Sequence, residues 1–180
     1  MTELTARALW SLGKEDFLAV LDSGKLAPKT RRVTFFTPSF AYHKTQTDRS
    51  HPEFATISVT GTACAMNCKH CAGKVLETMH PAETPEKLFN LAQRLKREGK
   101  VGCLVSGGCL PDGSVPLDKF IPILSRMKWE LGLTVTVHTG IVNMATAKAL
   151  KAAGIDAALI DIIGSDETLK DVLNLNVTTE

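Results

Sequence analysis

The sequence predicts an α/β chain whose core, residues 56–180, is a parallel sheet built of βα units, preceded by a helical or irregular extension, residues 1–55. Two observations predict this. From Thr56 onward, short β-rich runs alternate with helical patterns of about 10–15 residues, the signature of βαβ units. Each run also ends in glycines and polar side chains, and parallel sheets bind their ligands at these carboxyl ends. With right-handed crossovers, two layouts remain open, a doubly wound sheet or a barrel.

The elements follow in order. Leu4, Ala8 and Leu12 share one helical face, and Phe17, Leu18 and Leu21 share another that stops near Gly24. Residues 28–55 are less regular: 33–36 suit a short strand, Thr37-Pro38-Ser39 turns away, and HKTQTDRSHP reads as loop. Tyr42, His43 and Lys44 read there as a solvated loop rather than as a cover over the sheet's end. Residues 56–60, TISVT, form the first strand of the repeat. Thr84-Pro85 opens a helix by cap chemistry, a hydroxyl followed by proline at the first helical position; Leu88, Leu91 and Leu95 give it an apolar face and Gly99 stops it.

Residues 102–106 form the next strand, followed by a helix over 118–131 in which Pro122 fits only the first turn or a kink. Residues 134–138 form a third strand, and Asn143 caps a helix that Gly154 closes. Residues 157–163 are almost continuously apolar, the pattern of a strand buried on both faces. Ser165 caps a last helix through about Leu173, and the terminal NVTTE reads as the start of another. That makes four βα units from residue 56 onward.

Composition narrows the function classes. A net charge of +2, with basic residues dispersed, argues against a nucleic-acid or anionic-membrane surface. No run approaches the ~18 apolar residues of a membrane span, and the acidic start is not a secretory signal. The expected setting is cytoplasmic. Five cysteines, an odd number with Cys64, Cys68 and Cys71 crowded into CAMNCKHC, suit metal or redox chemistry better than a disulfide framework.

Three chemistries fit those thiols. They can hold one corner each of a [4Fe–4S] cube and leave the fourth iron to a small chelating molecule. With His70 or His80 they can make a tetrahedral zinc site, although no second ligand couple accompanies them. CKHC alone can be a redox dithiol, which leaves Cys64 unexplained. The remaining strand ends deliver Ser106-Gly107-Gly108-Cys109, then His138-Thr139-Gly140, then Asp161 and Gly164. Cys103 lies within a strand and reads as a small buried hydrophobe. Cys109 reads as a loop thiol, its sharper alternative being a ligand of an auxiliary cluster or a sulfur carrier. His138 is balanced between satisfying backbone groups and binding a ligand. Asp161 interrupts an apolar run and needs a partner, a cation, a backbone donor or a ligand hydroxyl.

C-x3-C-x2-C after the first strand of a βα repeat, with Gly107-Gly108 at the next strand end, resembles the radical S-adenosylmethionine (SAM) superfamily. The wording TGTACAMNCKHCAGKVLETM, SGGCLPDGSVPL, HTG and ALIDIIGSDETL looks closest to its biotin synthase-like branch, which includes the archaeal-type two-protein lipoyl synthase. The resemblance implies a partial (β/α) barrel, and an enzyme in which Cys64, Cys68 and Cys71 hold a [4Fe–4S] cluster. SAM would bind the open iron, and a 5′-deoxyadenosyl radical would abstract hydrogen from a substrate carbon, for example in sulfur insertion. It further implies that Gly107 and Gly108 meet the methionyl amino group, that His70 lies near adenine, and that His138 and Asp161 help hold SAM. Cys109 stands where the family usually carries an acid. The implied partners are reduced flavodoxin or ferredoxin as electron donor, and a lipoyl-carrier protein or a chain that completes the barrel. Four units are fewer than the family's usual partial barrel, so the expectation is a chain truncated or split at its C-terminus. The rival classes are a zinc-stabilised non-catalytic α/β module and an iron–sulfur electron-transfer protein.

Overall fold

The computed structural model describes residues 8–9, 11–24 and 54–179. The expectations for residues 1–7 and 25–53, including the short strand at 33–36 and the loop around Tyr42, lie outside them. The chain divides into two compact units, Met1–Thr37 and Pro38–Glu180. In the first, helix α1 spans Lys14–Asp22 and buries none of its side chains; Gly24, at φ +68°, follows its end.

The second unit is a wholly parallel five-stranded sheet with helices between its strands. Strands β1 (Phe54–Ser58), β2 (His80–Pro81), β3 (Gly102–Ser106), β4 (Thr134–His138) and β5 (Ala157–Leu159) lie in the order β2-β1-β3-β4-β5. From β1 through β3 and β4 to β5, each strand is added on the same side of its predecessor. The two-residue β2 lies on the other flank of β1, so the order reverses once there, as at the switch point of a doubly wound sheet. From β1 onward it does not reverse, and the three helices stay in one row. The helices α2 (Pro85–Arg97), α3 (Ile121–Trp129) and α4 (Met144–Ala153) pack side by side, α2 on α3 and α3 on α4. This is the arc of a partial (β/α) barrel.

Alternation along the strands separates the two faces. Ala55, Ile57, Cys103, Val105, Val135 and Val137 are buried in the main core, together with Leu88, Leu95, Phe120, Leu124 and Met127. Thr56, Leu104 and Thr136, paired across the three central strands, are only half-buried and belong to the opposite face. Gly102 is dictated by crowding: a Cβ there would sit 2.4 Å from both the Thr134 carbonyl and the Phe54 ring.

The caps are those expected. Thr84 accepts from the Lys87 N–H at 3.2 Å, Asn143 from Thr146 at 2.9 Å, and Ser165, capping helix α5 (Asp166–Asp171), from Thr168 at 3.1 Å. Pro122 falls in the first turn of α3, after a single 3-10 turn at Asp118–Phe120.

Three differences from the sequence reading matter. A two-residue strand, β2, forms beyond β1, paired at Ile57–His80 and Ser58–Pro81. The first strand of the repeat starts two residues earlier and ends at Ser58. Most important, the apolar run at 157–163 is not buried on both faces: β5 is exposed along its length, and Ile162 is 85% exposed. Among the described residues the run is an edge, paired only with β4. Among the described residues no helix is long and apolar enough to cross a membrane.

Candidate functional site

The cysteines occupy the loop between β1 and β2. Ser58 and Thr60 shape its entry: the Ser58 hydroxyl donates to the Gly61 carbonyl at 2.6 Å, and the Thr60 hydroxyl to the Ala63 carbonyl at 2.9 Å. Tight turns then lead through Cys64, Cys68 and Cys71, with Asn67 and Ala72 both at φ +47°, and Gly73 at φ +75° ahead of a 3-10 helix, Lys74–Thr78. All three thiols are free.

This loop is pressed against the end of β3. The Gly108 N–H donates to the Thr60 hydroxyl at 2.7 Å, and the Ala65 N–H to the Cys109 carbonyl at 2.9 Å. A Cβ on Gly108 would lie 2.0 Å from the Ala63 carbonyl oxygen and 2.6 Å from the Cys64 Cα. Only glycine permits that backbone approach. Gly107 is crowded more mildly, by the side chains of Thr60 and Val59.

A second apolar cluster underlies the cysteines. Met66, Cys68, Leu169 and Leu175 are buried in it, and Cys64, Cys71 and Cys109 pack against it. Four of the five thiols therefore meet one apolar bed. Burial, aided by Cys71 and Cys64, raises the Cys68 pKa. Burial above all, with Cys64, Cys68, Asp161 and Cys71 adding, pushes Cys109 up to about 11. Cys103, inside β3, is pushed up to about 12 by burial alone and packs in the main core, as the sequence suggested. Soft thiols converging on a dry bed suit an iron–sulfur cluster, since they are a donor set for soft metals. Among the described residues no three His, Cys, Asp or Glu side chains are gathered tightly enough to hold a single metal ion.

The next strand ends form a polar row. The Ser106 hydroxyl lies 3.4 Å from His138 Nδ1, and His138 Nε2 lies 3.3 Å from Asp161 Oδ2. Ser106 is buried, His138 half-buried and Asp161 exposed, so the row runs from core to solvent. Because Asp161 is exposed rather than buried in an apolar run, it does not need the partner that the sequence reading required, although His138 meets it. His70 is exposed on the cysteine loop, apart from this row in hydrogen bonding, and His80 is exposed in β2. Beside Cys109, the loops after β3 and β4 enclose a cavity of about 330 Å³ lined by Leu110, Val115, Leu117, Thr139, Ile141 and Asn143 among others.

Sequence reasoning missed the groups that hold the loop. Thr60 is one. Asn174 is another: its amide donates to the carbonyls of Met66 and Asn67 at 2.8 and 2.9 Å. The Lys69 N–H donates to the Val172 carbonyl, and the Cys68 thiol to the Leu173 carbonyl. The one signal was the alternation LNLN, whose leucines face the thiols and whose Asn174 turns the chain at φ +56°.

The model of the Radical SAM superfamily matches residues 58–180. The biotin synthase of Leptospira biflexa serovar Patoc is 31% identical over 98 residues, which cover 52% of this chain and 28% of that protein.

Proposed function

The chain belongs to the radical SAM superfamily, and from that premise we propose that Cys64, Cys68 and Cys71 each ligate one iron of a [4Fe–4S] cluster whose remaining iron binds SAM. Superfamily membership implies both cofactors. The single observation that carries the residue assignment is the convergence of three free thiols on one apolar bed against the Gly107-Gly108 turn. Together, cluster and SAM supply hydrogen abstraction from an unactivated substrate carbon.

The chain's own residues bind and orient. The Gly108 N–H is taken by Thr60, so this turn meets the methionyl amino group through its carbonyls. Asp161 accepts from the ribose hydroxyls, and His138, hydrogen-bonded to it, fixes its carboxylate. His70 covers the adenine. The apolar bed under Cys68 excludes water from the thiolates.

The likeness to a biotin synthase supports sulfur insertion on a biotin- or lipoate-like carbon chain, with a lipoyl-carrier protein as one substrate form. Reduced flavodoxin or ferredoxin is the electron donor, and the setting is cytoplasmic. The core starts with β1 at Phe54, and the open edge at β5 is where further sequence or a partner chain would complete the barrel.

Anaerobic reconstitution tests the proposal. The expected product is a brown protein with about four irons and four sulfides, which forms 5′-deoxyadenosine from SAM on reduction; Cys68→Ala loses the colour. One zinc in a colourless protein would overturn it. A cluster that forms without any SAM cleavage would favour electron transfer instead.

A further inference from the structure

Cys109 is the thiol for which the reading above has no use. It is not a lone surface cysteine. It packs against the same buried Met66, Cys68, Leu169 and Leu175 as Cys64 and Cys71 do. Its carbonyl accepts from the N–H of Ala65, the residue that follows Cys64 in the loop. One residue earlier, Gly108 brings the backbone as near to Cys64 as backbone can come. On its other flank lies Gly140, held against the Gly113 carbonyl, where a Cβ would stand in ordinary contact, 3.4 Å, with Cys109 Sγ. The fourth thiol is thus held at the pole where three others gather, by contacts that also fix the loop itself.

We propose that Cys109 is a fourth thiolate ligand, bound to the open iron while SAM is absent and displaced from it when SAM binds. The inference rests on Cys64, Cys68 and Cys71 holding the cluster. The exchange is a ligand substitution with no change of oxidation state. Cys109 releases its thiol proton to solvent as its sulfur–iron bond forms. That bond breaks when the amino nitrogen and carboxylate oxygen of SAM take its place, and the thiolate takes up the proton that the SAM ammonium sheds on binding iron. Two consequences follow. A cube held by four thiolates keeps its fourth iron under oxidation better than one held by three. SAM must also compete with an internal ligand, which lowers its apparent affinity by the fraction of molecules in which the iron is free.

The test uses the full chain, wild type and Cys109→Ala, reconstituted with iron-57 under anaerobic conditions. Without SAM, Mössbauer spectra of the wild type are expected to show all four irons sulfur-ligated, and SAM should convert one to a nitrogen- and oxygen-bound site. Brief ferricyanide treatment should leave the SAM-free wild type largely intact, while Cys109→Ala yields several-fold more of the three-iron form, read by electron paramagnetic resonance. Added SAM should erase that difference. SAM should bind Cys109→Ala about tenfold more tightly if Cys109 holds the iron in about nine molecules in ten.

A nitrogen- or oxygen-bound iron in the SAM-free wild type, or equal loss of iron in the two proteins, overturns the proposal. If Cys109→Ala does not fold, the wild-type Mössbauer comparison decides alone. A wild type that takes up no cluster sinks the three-cysteine assignment and this inference with it. A wild type that holds a cluster but behaves like Cys109→Ala sinks this inference only.

Discussion

The two margins of the sheet are built to different standards. At the β1–β3 side, the cysteine loop is fixed by side-chain bonds from Ser58 and Thr60, by the backbone contact at Gly108, and by a returning segment, 169–175. At the β5 side, three residues pair with β4 alone, and Leu159, Ile160 and Ile162 face solvent. The comparison teaches where specificity resides. The thiol pole is over-determined, as a site must be whose donors have to arrive in register. The other side carries Asp161 exposed beyond its strand end, where it would meet a ligand without enclosing it.

The largest effect that would break this contrast lies at Gly108. Gly108→Ala places a methyl against backbone on the cysteine loop, and backbone cannot rotate away. The expected result is a loss of about 3 kcal/mol and of most bound iron, measured by urea unfolding and iron analysis. Normal iron content in that variant would show that the loop is not fixed as described. Next comes Leu169→Ala, which opens the bed beneath Cys68. About 2–4 kcal/mol is expected, with the thiols of Cys64, Cys68 and Cys71 labelled faster by an alkylating reagent.

Smaller is the tie that starts the β5 margin. Asp156 accepts from the Val135 N–H at 2.8 Å and pairs with Lys128. The Lys128 hydrogen bond, then the Val135 one, lowers its pKa below the ordinary 3.8. A depressed acid stabilises the fold fully above its unfolded value and stops doing so as pH falls through the native one. Asp156→Ala should therefore cost about 1 kcal/mol at neutral pH, an estimate already reduced for a partly exposed pair. The gap to wild type should close below about pH 3.8, as thermal melts across pH would reveal. A gap that persisted in acid would assign the effect to packing. Smallest is Ile162→Ser on the open edge, expected to change stability by no more than about 0.5 kcal/mol while reducing light scattering by the concentrated protein.

The sequence made the thiol pole legible because its information is local. Cys64, Cys68 and Cys71 lie on one loop, and the caps at Thr84, Asn143 and Ser165 need only three residues of context. Strand ends followed from periodicity, so His138 and Asp161 could be named before their 3.3 Å contact was known. What was hidden depends on distant partners. Apolar continuity at 157–163 describes a strand's composition but not its neighbours, so a strand exposed along its length read as buried on both faces. A two-residue strand such as β2 is too short to leave a period. Asn174 looked like any polar residue between leucines until Met66 and Asn67 were brought to it.

That last contact has a consequence in the time domain. Asn174 is separated from Met66 by 108 positions in the chain. At about 5–20 residues per second of synthesis, the clamp is made roughly 5–20 s after the cysteines have left the ribosome. Throughout that interval Cys64, Cys68 and Cys71 exist as three neighbouring nucleophiles on an unfastened loop. A cluster installed in that interval would sit on a loop not yet clamped, so whatever shields nascent thiols from oxidation bears on the yield of assembled protein.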